Sequence, residues 1–274
     1  MSEKRANKPL CAVISGVFAL LAIVGAVLYY LPSFAYFGDA ALNKTFSEAV
    51  VRACVAGFLI SLAVYGGETS LFGYKIKGGR KGLAIVSPCF IVAIVNFPFS
   101  ALIGGGATIT RGDLILLVVI DCVLIAVTEE VFFRGLLQNY FAERLKDRRY
   151  PLVLTVLVTN AVFALWHLVN LFSAGVGETL LQVVYTFLVG SMLSFMITES
   201  KNLWLCVITH AVFDVGGSIS SVGVGNFQDT IFWVLTVSVG IIVGAYVVCF
   251  LFFRQKKQNE TRDLRFTVQS GGKK

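Results

Sequence analysis

The chain has 274 residues, of which 57% are hydrophobic and only 14% charged, and its mean hydropathy is +0.80. That is too little charge to cover the surface of a soluble domain of this length, so the composition excludes an ordinary globular protein and implies a polytopic helical membrane protein. The net charge of +7 is not a nucleic-acid signature, because the basic residues fall in short clusters between apolar runs.

Eight apolar segments can be drawn, over roughly 10–31, 47–66, 83–104, 113–141, 152–172, 178–198, 202–217 and 228–253. The first follows Lys4, Arg5 and Lys8, and Ser33-Phe34-Ala35 resembles a signal cleavage site. At about 22 residues the run exceeds a signal-peptide core, and an uncleaved first span is expected. The third contains Pro88, Asn96 and Pro98, so its helix is expected to kink or break, and broken helices in lipid usually face a cavity. The fourth is long and turns amphipathic after Glu130, which would carry it out along the cytoplasmic interface. The seventh is short, ends in Gly216-Gly217-Ser218 and is expected inside the bundle.

The basic clusters at Lys4/Arg5/Lys8, Lys75/Lys77/Arg80/Lys81, Arg144/Lys146/Arg148/Arg149, Lys201 and from Arg254 onward alternate with loops holding only Lys44 and Arg111. An even number of spans with both termini cytoplasmic satisfies every loop. The expectation is a single membrane-embedded domain over 1–253 and a flexible basic cytoplasmic tail over 254–274. The six cysteines are far apart in apolar stretches with no Cys-x-x-Cys pair, and read as small buried hydrophobes.

Chemistry concentrates in Thr128-Glu129-Glu130-Val131-Phe132-Phe133-Arg134-Gly135, at the end of the apolar run Leu114 to Val127. An ionised side chain in such a run is expensive and usually functional. Glu130 and Arg134 share a helix face at i and i+4, which predicts an ion pair. Glu129, about 100° away, projects to a different neighbour and stays available. The only histidines, His167 and His210, also sit in apolar runs, with Asn170 three residues after the first and Asp214 four after the second. A glutamate, two histidines and an Asp or Asn from three helices match the parts of a water-activating centre: the carboxylate takes a proton, a histidine orients or shares it, and the remaining polar groups stabilise an oxyanion. There is neither a His-Glu-x-x-His motif nor a Gly-x-Ser-x-Gly elbow. Asp121 is a further intramembrane carboxylate, expected to bond a neighbouring helix or else to line the same cavity.

Three motifs coincide in order: Glu-Glu-x-x-x-Arg (Glu129, Glu130, Arg134), Phe-x-x-x-His (Phe163, His167) and His-x-x-x-Asp (His210, Asp214). Over about 113–217 the chain resembles the CPBP family of intramembrane proteases, which includes CAAX prenyl endopeptidases and bacterial Abi-type members linked to bacteriocin processing or immunity. The resemblance implies an all-α fold of about eight spans around a polar cavity. It also implies endopeptidase chemistry on a membrane-associated or lipidated (CAAX-type or leader) peptide in a bacterial cell membrane. The residues matching Glu129 and His167 would activate water and those matching His210 and Asp214 would help hold the oxyanion, with Glu130, Arg134 and Asn170 in support. The prenyl endopeptidases end the third motif in Asn; an ionised Asp214 could accept but not donate a hydrogen bond, which favours a ligand-orienting or metal-related role. Glu129, His167 and His210 could supply three ligands of a catalytic zinc, or the same residues could work without metal. Two other readings stay open: a non-proteolytic immunity or scaffolding protein of the same fold, and a proton-coupled transporter. Membrane lipids and the peptide substrate are the expected partners, with no nucleic acid.

Overall fold

The computed structural model describes residues 8–30, 37–172 and 174–271. Lys4, Arg5 and the Ser33-Phe34-Ala35 stretch lie outside the described residues. The fold is all-α. Its helices are α1 (Lys8–Tyr30), α2 (Ala40–Tyr65), α3 (Gly79–Val95), α4 (Phe99–Ile103), α5 (Ile115–Glu130), α6 (Gln138–Leu145), α7 (Pro151–Trp166), α8 (Val176–Ser200), α9 (Leu203–Ser218) and α10 (Thr230–Gly271). Among the described residues the sheet is confined to one two-stranded antiparallel pair, β1 (Ala107–Ile109) with β2 (Gly223–Gly225).

Among the described residues five helical stretches are long and apolar enough to cross a membrane: Ala40–Tyr65, Pro151–Phe172, Val176–Ser200, Leu203–Val222 and Thr230–Thr261. Together with the composition they make the chain an integral membrane protein of polytopic helical fold. α5 falls outside that set: it has 16 residues and ends at Glu129 and Glu130.

Two sets of contacts mark opposite ends of the bundle. At one end Arg111 reaches both Asp39 and Asp113, and β1 pairs with β2. At the other, Lys77 donates its backbone N–H to Ser200 O, Trp204 Nε1 donates to Phe72 O, and Arg254 pairs with Glu199. Here Gln255 Oε1 also accepts from the backbone N–H of Leu152, at 2.9 Å, capping the first turn of α7. α10 continues unbroken past Arg254 to Gly271, so the basic segment expected to be a flexible tail is helical through Gly271. Gln255 is buried and Arg254 paired; these contacts extend the helix beyond its apolar part.

The expected break in the third segment is present. α3 stops at Val95, Pro98 precedes α4, and Asn96 Nδ2 donates to Phe213 O at 2.8 Å. α9 crosses the break so closely that a side chain on Gly216 would meet Asn96 O at 2.6 Å. A cavity of about 280 Å³ opens beside it, lined by Pro98, Gly216, Gly217, Asn226 and Phe232 among others. α9 lies inside the bundle, packed against α3, α5 and α8, with Cys206, Val207, His210 and Ala211 buried.

The fourth segment departs from its expected path. Residues Val131–Leu137 form a π-helical stretch joining α5 to α6 without a break. The chain stays in the bundle beyond Glu130: Val131, Phe133, Arg134 and Gly135 are buried, and Gln138 Nε2 donates to Thr198 Oγ1 of α8 at 3.2 Å. Buried polar side chains with partners on α8 hold this amphipathic stretch within the bundle instead of releasing it to the interface.

A buried acid, arginine and histidine cluster as candidate active site

The site is built from four helices. α5 brings Glu129 and Glu130, the π-helical stretch Arg134, α7 Asn160 and Phe163 with His167 just beyond its end, and α9 His210 and Asp214. The i, i+4 pair forms as the spacing predicts: Arg134 Nη1 donates to Glu130 Oε1 at 2.9 Å, with both side chains fully buried. π-helical stretches inside α-helices recur at functional sites, and this one starts at the residue after the glutamate pair.

His210 joins the two glutamates. Its Nδ1 donates to Glu130 Oε1 at 2.7 Å, because an oxygen already paired with a guanidinium is an acceptor. Its Nε2 lies 3.7 Å from Glu129 Oε2 and 3.5 Å from Asp214 Oδ2. One imidazole therefore faces one carboxylate with one nitrogen and two with the other. The sequence reading separates Glu129 from Glu130; His210 spans that separation. The expected shared face of His210 and Asp214 is realised, and Asp214 stands against the imidazole.

Glu129 is the carboxylate left over. Its Oε2 is buried and has no hydrogen-bond partner in the protein. Glu130 Oε2 and Arg134 Nε are in the same condition.

His167 begins a 3₁₀ turn that ends α7, and its Nδ1 bonds Phe163 O at 2.9 Å. Its imidazole and that of His210 both stand edge-on to the Phe163 ring, with centroids 5.0 and 6.1 Å away. The level of His167 follows from the hairpin between α6 and α7. Phe133 and Phe163 meet at 4.8 Å between centroids. Four residues back along one arm lead to Glu129 and four forward along the other to His167, a rise of about 6 Å each. The two reach the same level because the chain stays embedded past Glu129 through the π-helical stretch. Asn170 Nδ2 donates to Gln182 Oε1 of α8 at 2.7 Å.

Among the described residues no group of three His, Cys, Asp or Glu is gathered so as to hold a metal ion. His210 bonds Glu130 and His167 bonds Phe163 O, each through Nδ1, so Nε2 is the nitrogen each ring has left for another partner.

Three residues of the site carry no motif. Asn160 Oδ1 accepts from Arg134 Nη2 at 3.3 Å, while Asn160 Nδ2 donates to Ser194 Oγ at 2.9 Å. A side chain on Gly190 would sit 2.6 Å from Asn160 Oδ1 and 3.0 Å from Arg134 Nη2. A polar residue inside an apolar run was the signal available for Asn160; nothing local marks Ser194 or Gly190.

Asp121, two turns earlier on α5, is held apart from this cluster by Arg52 of α2. This is the structural alternative for that carboxylate.

Residues 111–216 match the family model described as type II CAAX prenyl endopeptidase Rce1-like, which bears out the resemblance carried by the three motifs. The match covers less than half of the chain, from the loop before α5 to the end of α9, and contains every residue of the cluster. No curated protein and no solved structure matches the chain.

Proposed function

We propose that the chain is an intramembrane endopeptidase that hydrolyses a peptide bond of a membrane-associated or lipidated peptide where Glu129, His210 and Asp214 meet. The observation that carries this reading is Glu129 Oε2, a buried carboxylate oxygen with no protein donor, 3.7 Å from His210 Nε2. Such an oxygen is suited to accept a proton from water, the general-base role. Glu129 takes the proton as the water oxygen attacks the carbonyl carbon. His167, level with Glu129, orients the water. His210, an imidazolium between Glu130 on one side and Glu129 and Asp214 on the other, turns its Nε2–H to the oxygen on which negative charge develops. The C–N bond then breaks and the proton passes from Glu129 to the leaving amine. Asp214 accepts rather than donates, so it orients His210 and does not touch the oxyanion. No step passes through a metal.

The family match supports a CAAX-type peptide presented at the membrane as substrate where the host prenylates proteins; in a bacterium a leader peptide would take its place. The basic clusters support a cytoplasmic side for both termini and for the connections at Lys75–Lys81 and Arg144–Arg149.

The test is Glu129→Gln, assayed in proteoliposomes with a membrane-tethered peptide library read by mass spectrometry. Gln keeps the shape and removes the base, so cleavage should fall by about 10²- to 10⁴-fold with helix content and detergent elution unchanged. Cleavage at the parent rate in this variant overturns the assignment.

A further inference from the structure

We propose that Asn160, Ser194 and Gly190 form a positioning cradle that acts through Arg134 and Glu130 to fix the ring of His210; the proposal rests on the peptidase reading above. The cradle lies outside the three motifs. It is assembled by α7 and α8, whereas the groups it serves stand on α5 and α9.

Arg134 has five N–H donors, and few of them are anchored. Nη1 donates to Glu130 Oε1 at 2.9 Å, Nη2 donates to Asn160 Oδ1 at 3.3 Å, and Nε has no partner. The guanidinium carbon also stands 4.3 Å from the centre of the Phe163 ring. Asn160 is therefore the polar group that decides how the guanidinium is turned. Its own amide is fixed, with Nδ2 donating to Val156 O at 2.7 Å and to Ser194 Oγ at 2.9 Å, which presents Oδ1 to Arg134. Asn160 and Ser194 are fully buried, so no water competes for these bonds. Gly190 lets α8 come close enough to hold them: a methyl group there would overlap Asn160 Oδ1, Phe163 Cδ1 and Arg134 Nη2, at 2.6, 2.8 and 3.0 Å.

The consequence reaches His210 because one oxygen is shared. Glu130 Oε1 accepts from Arg134 Nη1 and from His210 Nδ1, while Glu130 Oε2 is buried with no partner. A guanidinium released from Asn160 can rotate to engage both oxygens of Glu130 in the bidentate geometry that arginine and carboxylate favour. Arg134 would then compete with His210 Nδ1 for Oε1. With that bond weakened, the imidazole is free to turn and Nε2 loses its fixed place between Glu129 and Asp214. The cradle prevents this by keeping the second arginine nitrogen occupied elsewhere.

The chain has only two histidines, which makes the proposal readable without any turnover. Full-length protein labelled with ¹⁵N-histidine in detergent micelles should give two sets of ring signals, assigned by their change in a His167→Asn variant. The parent should show a downfield, slowly exchanging His210 Nδ1 proton, the mark of its bond to Glu130. In Asn160→Leu and Asn160→Ala that proton should be lost or exchange rapidly. Cleavage should fall about 10- to 100-fold, the range for partners that orient reacting groups, mainly in kcat with KM little changed. Ser194→Ala, which deletes one oxygen, should move both readouts the same way by less, and it carries the test if the Asn160 variants do not accumulate. An unchanged His210 Nδ1 signal in every cradle variant that folds overturns the proposal. A parent protein that cleaves nothing overturns the peptidase reading alone, since the histidine signals still report whether the cradle holds the ring.

Discussion

Three arginine–carboxylate clusters lie along α5 and its approach, and they differ mainly in depth. At the outer end Arg111 pairs with Asp39 and Asp113, with side chains between 35% and 60% exposed. Midway, Arg52 of α2 meets Asp121, at 34% and 13%. At the inner end Arg134 and Glu130 are both at 0%. The outer cluster is served by water and recruits nothing beyond its own loop and the first turn of α2. The inner one recruits Asn160, Phe163 and His210 from two other helices. Burial makes an unpartnered charge costly, so each step inward demands more partners and fixes them more tightly. Only the inner cluster therefore holds groups in a fixed enough arrangement for chemistry, and Glu129, beside it without a donor, is where that rigidity can be used.

The largest break in this comparison should come from stripping the inner pair of one member. Arg134→Met leaves Glu130 buried with His210 as its one remaining partner and should cost about 3–5 kcal/mol, read as a loss of thermal stability in detergent. Arg134→Met combined with Glu130→Gln removes both charges and should recover part of that loss. A single variant as stable as the parent would mean that depth does not set the cost. At the middle cluster, Arg52→Leu leaves Asp121, whose Oδ1 already lacks a hydrogen bond, without its cation. The cost should be smaller, about 1–3 kcal/mol, because water reaches part of this pair.

How much of this was legible in the sequence depends on whether the signal was local. Glu130 with Arg134 and His210 with Asp214 are i, i+4 pairs, so helix geometry alone predicted them, and both are present. The break before α4 was legible because proline at 98 cannot sustain a helix. The π-helical stretch was not: a change from i+4 to i+5 bonding in Val131–Leu137 has no composition signal, and it altered where the fourth segment runs. The bond from His210 Nδ1 to Glu130 joins residues 80 apart, and only packing of α5 against α9 decides which glutamate each nitrogen meets. The cradle fails the same test, since Gly190 reads as one glycine among 26. The helical course of residues 254–271 was hidden because a basic, polar segment reads as a solvated tail until Gln255 is seen capping α7.

The outer cluster gives the smallest effect and the one that depends on pH. Asp39 Oδ1 accepts from the backbone N–H of Leu42 at 2.8 Å, and Oδ2 faces Arg111 Nη2 at 3.1 Å. The Leu42 bond first and then Arg111 hold the Asp39 carboxyl below its ordinary value. A depressed carboxyl contributes stability that is present above its unfolded value, near pH 4, and is lost as the pH falls through the lower folded value. Asp39→Asn keeps an acceptor for Leu42 and removes the charge, so its small deficit against the parent should be constant near neutral pH and shrink below about pH 4. Raising the salt concentration should erase much of the deficit, because exposed pairs are screened. The same salt titration applied to Arg134→Met should leave its deficit in place, because no solvent reaches that pair. Equal salt sensitivity at the two ends would show that the inner cluster is wet, and it would remove the ground for treating the depth of the pair as the source of its order.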